Sequence, residues 1–198
     1  MARRGPDYTG EVRRLLDAAL DVMVRGGPGG RARVADIVAA AGLSNDAFYR
    51  HFRSKDDLVS ALLEDGADRL RGYLAHQMAK ERTPEGRLHR WVEGVLAQAQ
   101  RTKATATLAV LRNAAGVSDG PASGRHFASQ PLAALLHDPF AELGSPAPES
   151  DASLAAHGVL GRLSDHLWAG TRPARGEVEQ IVAFYVGGVG RTAAARRG

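Results

Sequence analysis

Apolar residues recur at helical spacing along most of the chain. Val12, Leu15, Leu16, Ala19 and Met23 follow an i, i+3, i+4 pattern, with Thr9 placed to open the helix and Gly26-Gly27-Pro28 to close it. A second segment runs from Val34 to Ala41 and stops at Gly42, and a third opens at Ser44 and carries Phe48 and Tyr49. Ser54-Lys55-Asp56-Asp57 combines a capping hydroxyl with acids in the first turn of a long fourth helix, which continues through Leu58, Leu62 and Leu70 to about Ala79. After Thr83-Pro84 a fifth helix carries Leu88, Trp91, Val92, Val95 and Leu96, and a sixth covers residues 104–115.

Residues 116–130 are rich in Gly and Ser and read as a loop or short helix. A seventh helix is expected over 131–143 and an eighth over 151–168, ended by Arg172-Pro173, with Leu160, Leu163 and Leu167 on one stripe. The ninth carries Val178, Ile181, Val182, Tyr185, Val186 and Val189, the cleanest amphipathic pattern in the chain. Its Gly187, Gly188 and Gly190 leave two readings open: close backbone approach within the helix, or a helix that ends near Val186. With only two Ile and no sustained period-2 alternation, the fold class is all-α, about nine helices with no sheet.

Composition narrows the chemistry. The absence of Cys excludes a disulfide scaffold, a thiolate zinc site, an iron–sulfur cluster and a Cys nucleophile. The basic start is followed by no apolar stretch of signal-peptide length, and no apolar run approaches the ~20 residues that span a bilayer. A cytoplasmic protein without a membrane partner is expected. The formal charge of +4 is spread evenly, and 23 of the 26 basic residues are Arg, which suits phosphate but also fits a compositional bias.

Residues 34–58 read VADIVAAAGLSNDAFYRHFRSKDDL, two short helices joined by a turn at Gly42-Leu43-Ser44. This is the plan of a helix-turn-helix. Gly42 permits a tight or left-handed turn, while Ile37, Ala41, Leu43 and Phe48 face inward. A Ser44 cap leaves the N–H groups of the next helix suited to a phosphate.

On Ile37, Ala41-Gly42-Leu43-Ser44, Phe48-Tyr49-x-His51-Phe52 and Ser54-Lys55-x-x-Leu58, the sequence resembles the tetracycline-repressor (TetR) family. The motifs cover residues 9–63; beyond them the likeness is one of helix content and length. The resemblance implies a helix-turn-helix DNA-binding domain over 1–53 and a helical ligand-binding and dimerisation domain over 54–198. It places Tyr49, His51 and Lys55 at DNA phosphates, with Arg33 able to join them. Ser44, Asn45, Asp46 and Ala47 fall where base edges are read, with Arg50 beside them. Three residues depart from the family pattern: Arg33 stands where a capping Thr or Ser is usual, Val38 replaces a small Ala, and Asp46 replaces a frequent Gly. A carboxylate at Asp46 repels DNA unless it accepts from cytosine or orients Arg50.

The same resemblance implies a homodimer on a palindromic operator, joined through Leu160, Leu163, Leu167, Val178, Ile181, Val182, Tyr185 and Val186 of the last two helices. It also implies a small-molecule effector, expected to be apolar because few acids fall inward, with Tyr73, Met78, Trp91, Leu111, Phe127 and Phe140 as candidate lining. No cofactor or metal is expected. An all-helical dimer that binds a small molecule or protein without DNA is the alternative. Gly116-Val117-Ser118-Asp119-Gly120 matches G-x-S-x-G, but the nucleophile elbow needs a preceding strand, and here a helix precedes and Pro121 follows. The chain is read as a non-enzyme.

Overall fold

Punctuation by capping residues, proline and glycine sets the helix ends. The computed structural model describes residues 8–27, 30–114 and 123–195. The described residues form α1 (Tyr8–Arg25), α2 (Val34–Ala41), α3 (Asn45–His51), α4 (Lys55–Met78), α5 (Pro84–Leu96), α6 (Arg101–Ala114), α7 (Ser123–Ala134), α8 (His137–Glu142), α9 (Pro148–Ala169) and α10 (Glu177–Ala195). A 3-10 turn at Ala97–Ala99 follows α5, and no strand occurs among the described residues. None of their helices is long and apolar enough to cross a membrane.

Several ends differ from the sequence reading. The helix expected over 131–143 is two helices, and its first part starts earlier, at Ser123. Pro131 suggested a helix start because proline favours a first turn, yet it lies inside α7. Leu136, at the break, donates its N–H to the Ala133 carbonyl at 2.8 Å before α8 begins. α1 begins at Tyr8, so Thr9 lies within it. α9 takes Pro148 in its first turn and ends at Gly170, with φ 65, ahead of Arg172-Pro173. α10 runs through Gly187, Gly188 and Gly190, which therefore do not end it. The G-x-S-x-G segment lies outside the described residues.

The chain divides into two compact units, Met1–Glu64 with Thr105–Pro121, and Asp65–Ala104 with Ala122–Gly198. The sequence places a domain boundary after residue 53; in the compact units α4 and α6 each contribute residues to both. In the first unit, Leu15, Leu16, Ala19 and Met23 of α1 share one core with Ile37, Val38, Phe48, Phe52, Leu58, Val59 and Leu62. Ala109 and Val110 of α6 complete that core. Beside them Asn113, 5% exposed, accepts the Ala32 N–H on Oδ1 at 3.2 Å and donates from Nδ2 to the Ala109 carbonyl at 2.9 Å.

In the second unit α5 supplies Leu88, Trp91, Val92, Val95 and Leu96, all buried against Leu132, Leu136, Phe140 and the alanine face of α9 (Ala152, Ala155, Ala156). The Trp91 indole N–H donates to the Leu132 carbonyl at 3.0 Å, satisfying the one polar atom of that side chain. Gly94 lets Leu74 of α4 lie directly on α5, in space a Cβ would occupy. A polar knot closes the connection from α9 to α10. Buried His166 meets the Thr171 hydroxyl through Nδ1 at 2.8 Å and Glu177 through Nε2 at 3.1 Å. Glu177 accepts from Arg162 Nη2 at 2.9 Å and from the Ala174 N–H at 2.9 Å. Burial alone would push the Glu177 carboxyl up, but the Ala174 N–H, His166 and Arg162 outweigh it and bring it down to about 2.

Candidate nucleic-acid interface

The turn between α2 and α3 is built as its residues require. Gly42 takes φ 63, and two bonds close the helix end: its own N–H to Ala39 at 3.2 Å and the Leu43 N–H to Val38 at 2.9 Å. This Schellman-type closure brings half-buried Leu43 over buried Val38. Ser44 then caps α3, its Oγ accepting the Ala47 N–H at 3.1 Å. At the start of α2, Arg33 makes no side-chain cap bond, as its residue type requires.

α3 has two faces. Ala47 and Phe48 pack inward, and the Phe48 ring meets Phe52 at 5.7 Å between centroids and Tyr49 edge-on at 5.2 Å. Outward stand Ser44, Asn45, Asp46, Tyr49 and Arg50, with Tyr49 58% exposed. Arg33 and Arg53 are also exposed, and Lys55 is half-buried at the first position of α4. That helix start is fixed by Ser54 Oγ accepting the Asp57 N–H at 3.1 Å while Asp57 accepts the Arg53 N–H at 3.0 Å.

Two residues assigned to DNA contact are turned away from this face. Ala47, 3% exposed, is buried on the inner face of α3. The His51 side chain is 5% exposed, and its Nε2 lies 2.8 Å from Glu11 Oε2 of α1. The same oxygen accepts from Arg50 Nη2 at 3.1 Å. These bonds from His51 and then Arg50 hold the Glu11 carboxyl below the ordinary carboxylate range. The carboxylate beside Arg50 is thus Glu11, not Asp46. Glu11 and Asn113 escaped the sequence reading: each meets partners at least 39 positions away, and neither belongs to a local motif.

The candidate effector residues fall in both units. Trp91, Met78 and Phe140 lie in the core of the second unit, Leu111 belongs to the first unit, and the Phe127 side chain lies outside the described residues. Tyr73 is exposed, with Lys103 Nζ 5.5 Å from its ring centroid. An open groove of about 740 Å³ runs along α9 and α10, lined by Gly158, Arg162, Glu177, Ile181, Phe184 and Tyr185. Of the candidate dimer residues, Leu163 and Leu167 turn into the unit's own core, whereas Leu160, Val178, Ile181, Val182, Tyr185 and Val186 are half-buried. The large apolar groups that do face outward are Leu154 and Trp168 of α9 and Phe184 of α10.

A capped two-turn helix, seated by Phe48 and presenting polar and cationic groups, gives the first unit the form of a helix-turn-helix. Residues 15–62 match the bacterial regulatory proteins of the tetR family. Over its length the chain takes the fold of TetR-family transcriptional regulators: an N-terminal helix-turn-helix domain and a C-terminal helical domain. A transcriptional regulator from Rhodococcus sp. Rha1 is 22% identical with a TM-score of 0.69, covering 91% of this chain and 96% of that one. A TetR-family transcriptional regulator from Streptomyces coelicolor is 16% identical with a TM-score of 0.60, covering 94% and 96%. The transcriptional regulator FadR from Bacillus subtilis, solved in complex with stearoyl-CoA, is 18% identical with a TM-score of 0.61, covering 89% and 98%. Among curated proteins, none matches the chain in sequence.

Proposed function

We propose that this protein is a cytoplasmic, non-enzymatic repressor that binds a palindromic operator as a homodimer and is released by a small apolar effector. The observation that carries the DNA reading is the outward face of α3, Asn45, Asp46, Tyr49 and Arg50, on a helix anchored by Phe48 and capped by Ser44. Tyr49, Lys55 and Arg33 serve the phosphates; Asn45, Asp46 and Arg50 serve base edges, with Ser44 at the helix entrance. A two-fold dimer presents two such helices about 34–36 Å apart, or a multiple of that, on successive major grooves.

The exposed Leu154, Trp168 and Phe184 on α9 and α10 support a dimer joined through those helices. A small-molecule effector is supported by the stearoyl-CoA bound to FadR, a protein of similar fold, and the acyl chain of that ligand is apolar. Such an effector acts by binding two conformations with different affinity. Because α4 and α6 each have residues in both units, either helix can carry the change to the head.

Selection of bound duplexes from a random library at fixed, near-physiological salt tests the reading. Enrichment of an inverted repeat supports a dimeric DNA reader. A folded dimer that enriches nothing, with or without acyl-CoA removed, favours a helical binding module without DNA.

A further inference from the structure

Arg50 and His51 are neighbours in sequence, so on a helix their side chains leave the axis about 100° apart. Both nevertheless end on Glu11 Oε2, at 3.1 Å and 2.8 Å. Exposure is graded across the three: the side chain of His51 is 5% exposed, Glu11 13% and Arg50 46%. The histidine and carboxylate therefore form a mostly enclosed anchor, and the guanidinium straddles its rim. One nitrogen of Arg50 is tied inward, while the planar fork retains further donors toward solvent.

We infer that Glu11 is a positioning residue for sequence discrimination: it fixes the Arg50 guanidinium so that its free edge meets a guanine rather than the nearest phosphate. This rests on the DNA-binding reading above. The chemistry follows from what each target demands. A phosphate accepts from an arginine arriving in many orientations, whereas the O6 and N7 of guanine require two donors in one plane. An untethered arginine on a two-turn helix samples both. Tethering through Nη2 restricts it to one orientation, and the Glu11 charge offsets part of the cation that would otherwise favour any DNA equally. His51, its side chain 5% exposed, bonds the same oxygen at 2.8 Å, which anchors the carboxylate that Arg50 meets.

The experiment compares affinities for the duplex enriched by selection and for a scrambled duplex of the same composition, across a salt series. In Glu11→Gln the operator-to-scrambled ratio is expected to fall about tenfold, the loss of one bidentate contact, while scrambled affinity holds or rises. Arg50→Lys, which leaves the Glu11–His51 bond in place, should lose the ratio similarly. In an Arg50→Ala background, Glu11→Gln should change the ratio no further. Equal loss on both duplexes, or an undiminished effect of Glu11→Gln in the Arg50→Ala background, overturns the inference and leaves Glu11 as a stitch between α1 and α3. If the wild-type protein itself does not distinguish the duplexes, the DNA reading falls, and the inference falls with it.

Discussion

Asn113, near the end of α6, accepts the backbone N–H of Ala32 at 3.2 Å across 81 positions of sequence. Ala32 immediately precedes Arg33, the residue that opens α2 without a side-chain cap. The entry to the helix-turn-helix is thus held from α6, by a side chain whose own amide is anchored on Ala109.

Asn113→Ala should leave the buried Ala32 N–H without its acceptor. The expected cost is about 1–3 kcal/mol. Urea denaturation should show a lowered midpoint, with faster hydrogen exchange at the Ala32 amide. An unchanged midpoint would mean the bond contributes nothing.

The two helix starts of the head make an opposed pair. Ser44→Ala removes a cap bond that is present and should cost about 1 kcal/mol. Arg33→Ser supplies a cap that is absent and should stabilise by a similar amount. If Arg33 serves a phosphate, the same change flattens the salt dependence of DNA binding by about one ion per subunit. Melting curves and salt titrations of both variants separate the two effects.

Tyr49→Ala should weaken binding to every duplex alike, because its exposed ring projects from α3 without filling the core. Lys55→Ala should do the same with a shallower salt slope. A change in base preference, read by repeating the duplex selection, would assign either residue to base edges instead.

At Gly94 two rules point in opposite directions. Replacing a mid-helix glycine by alanine normally stabilises by about 1 kcal/mol. Here the new methyl group would collide with the fully buried Leu74 and crowd Tyr73. Overpacking costs about 1–3 kcal/mol, so Gly94→Ala should destabilise. Differential scanning calorimetry gives the sign directly.

Glu177 makes stability depend on acid. Its carboxyl, at about 2, lies below the ordinary 4.5, so the folded state prefers it ionised. The stabilisation is complete above about 4.5 and is lost as the pH falls toward 2. Glu177→Gln should therefore melt lower than wild type at neutral pH, with the gap closing across that window.

What the sequence disclosed is what neighbours in sequence decide. Gly42, Ser44 and Phe48 set the turn, cap and anchor of α3 within seven positions, and each behaves as its residue type dictates. Ala47 and His51 share that motif but point inward, because a two-turn helix buries one face and periodicity alone did not fix its rotation. Glu11 and Asn113 were invisible because charge complementarity and amide bonding across 39 to 81 positions leave no local pattern. Gly187, Gly188 and Gly190 were ambiguous since propensity cannot weigh packing, and α10 continues through them. The split between α7 and α8 was hidden by Pro131, a residue more often found at a helix start than inside one.

The participation of Ala109, Val110 and Asn113 in the first unit has a consequence for modularity. The first compact unit is discontinuous in sequence: a chain cut after residue 64 lacks Ala109, Val110 and Asn113. A chimera that joins only the first 64 residues to another chain would replace Ala109 and Val110 of that core and remove the Asn113 acceptor of the Ala32 N–H. Recombination between relatives must thus transfer α1, α3 and the end of α6 together.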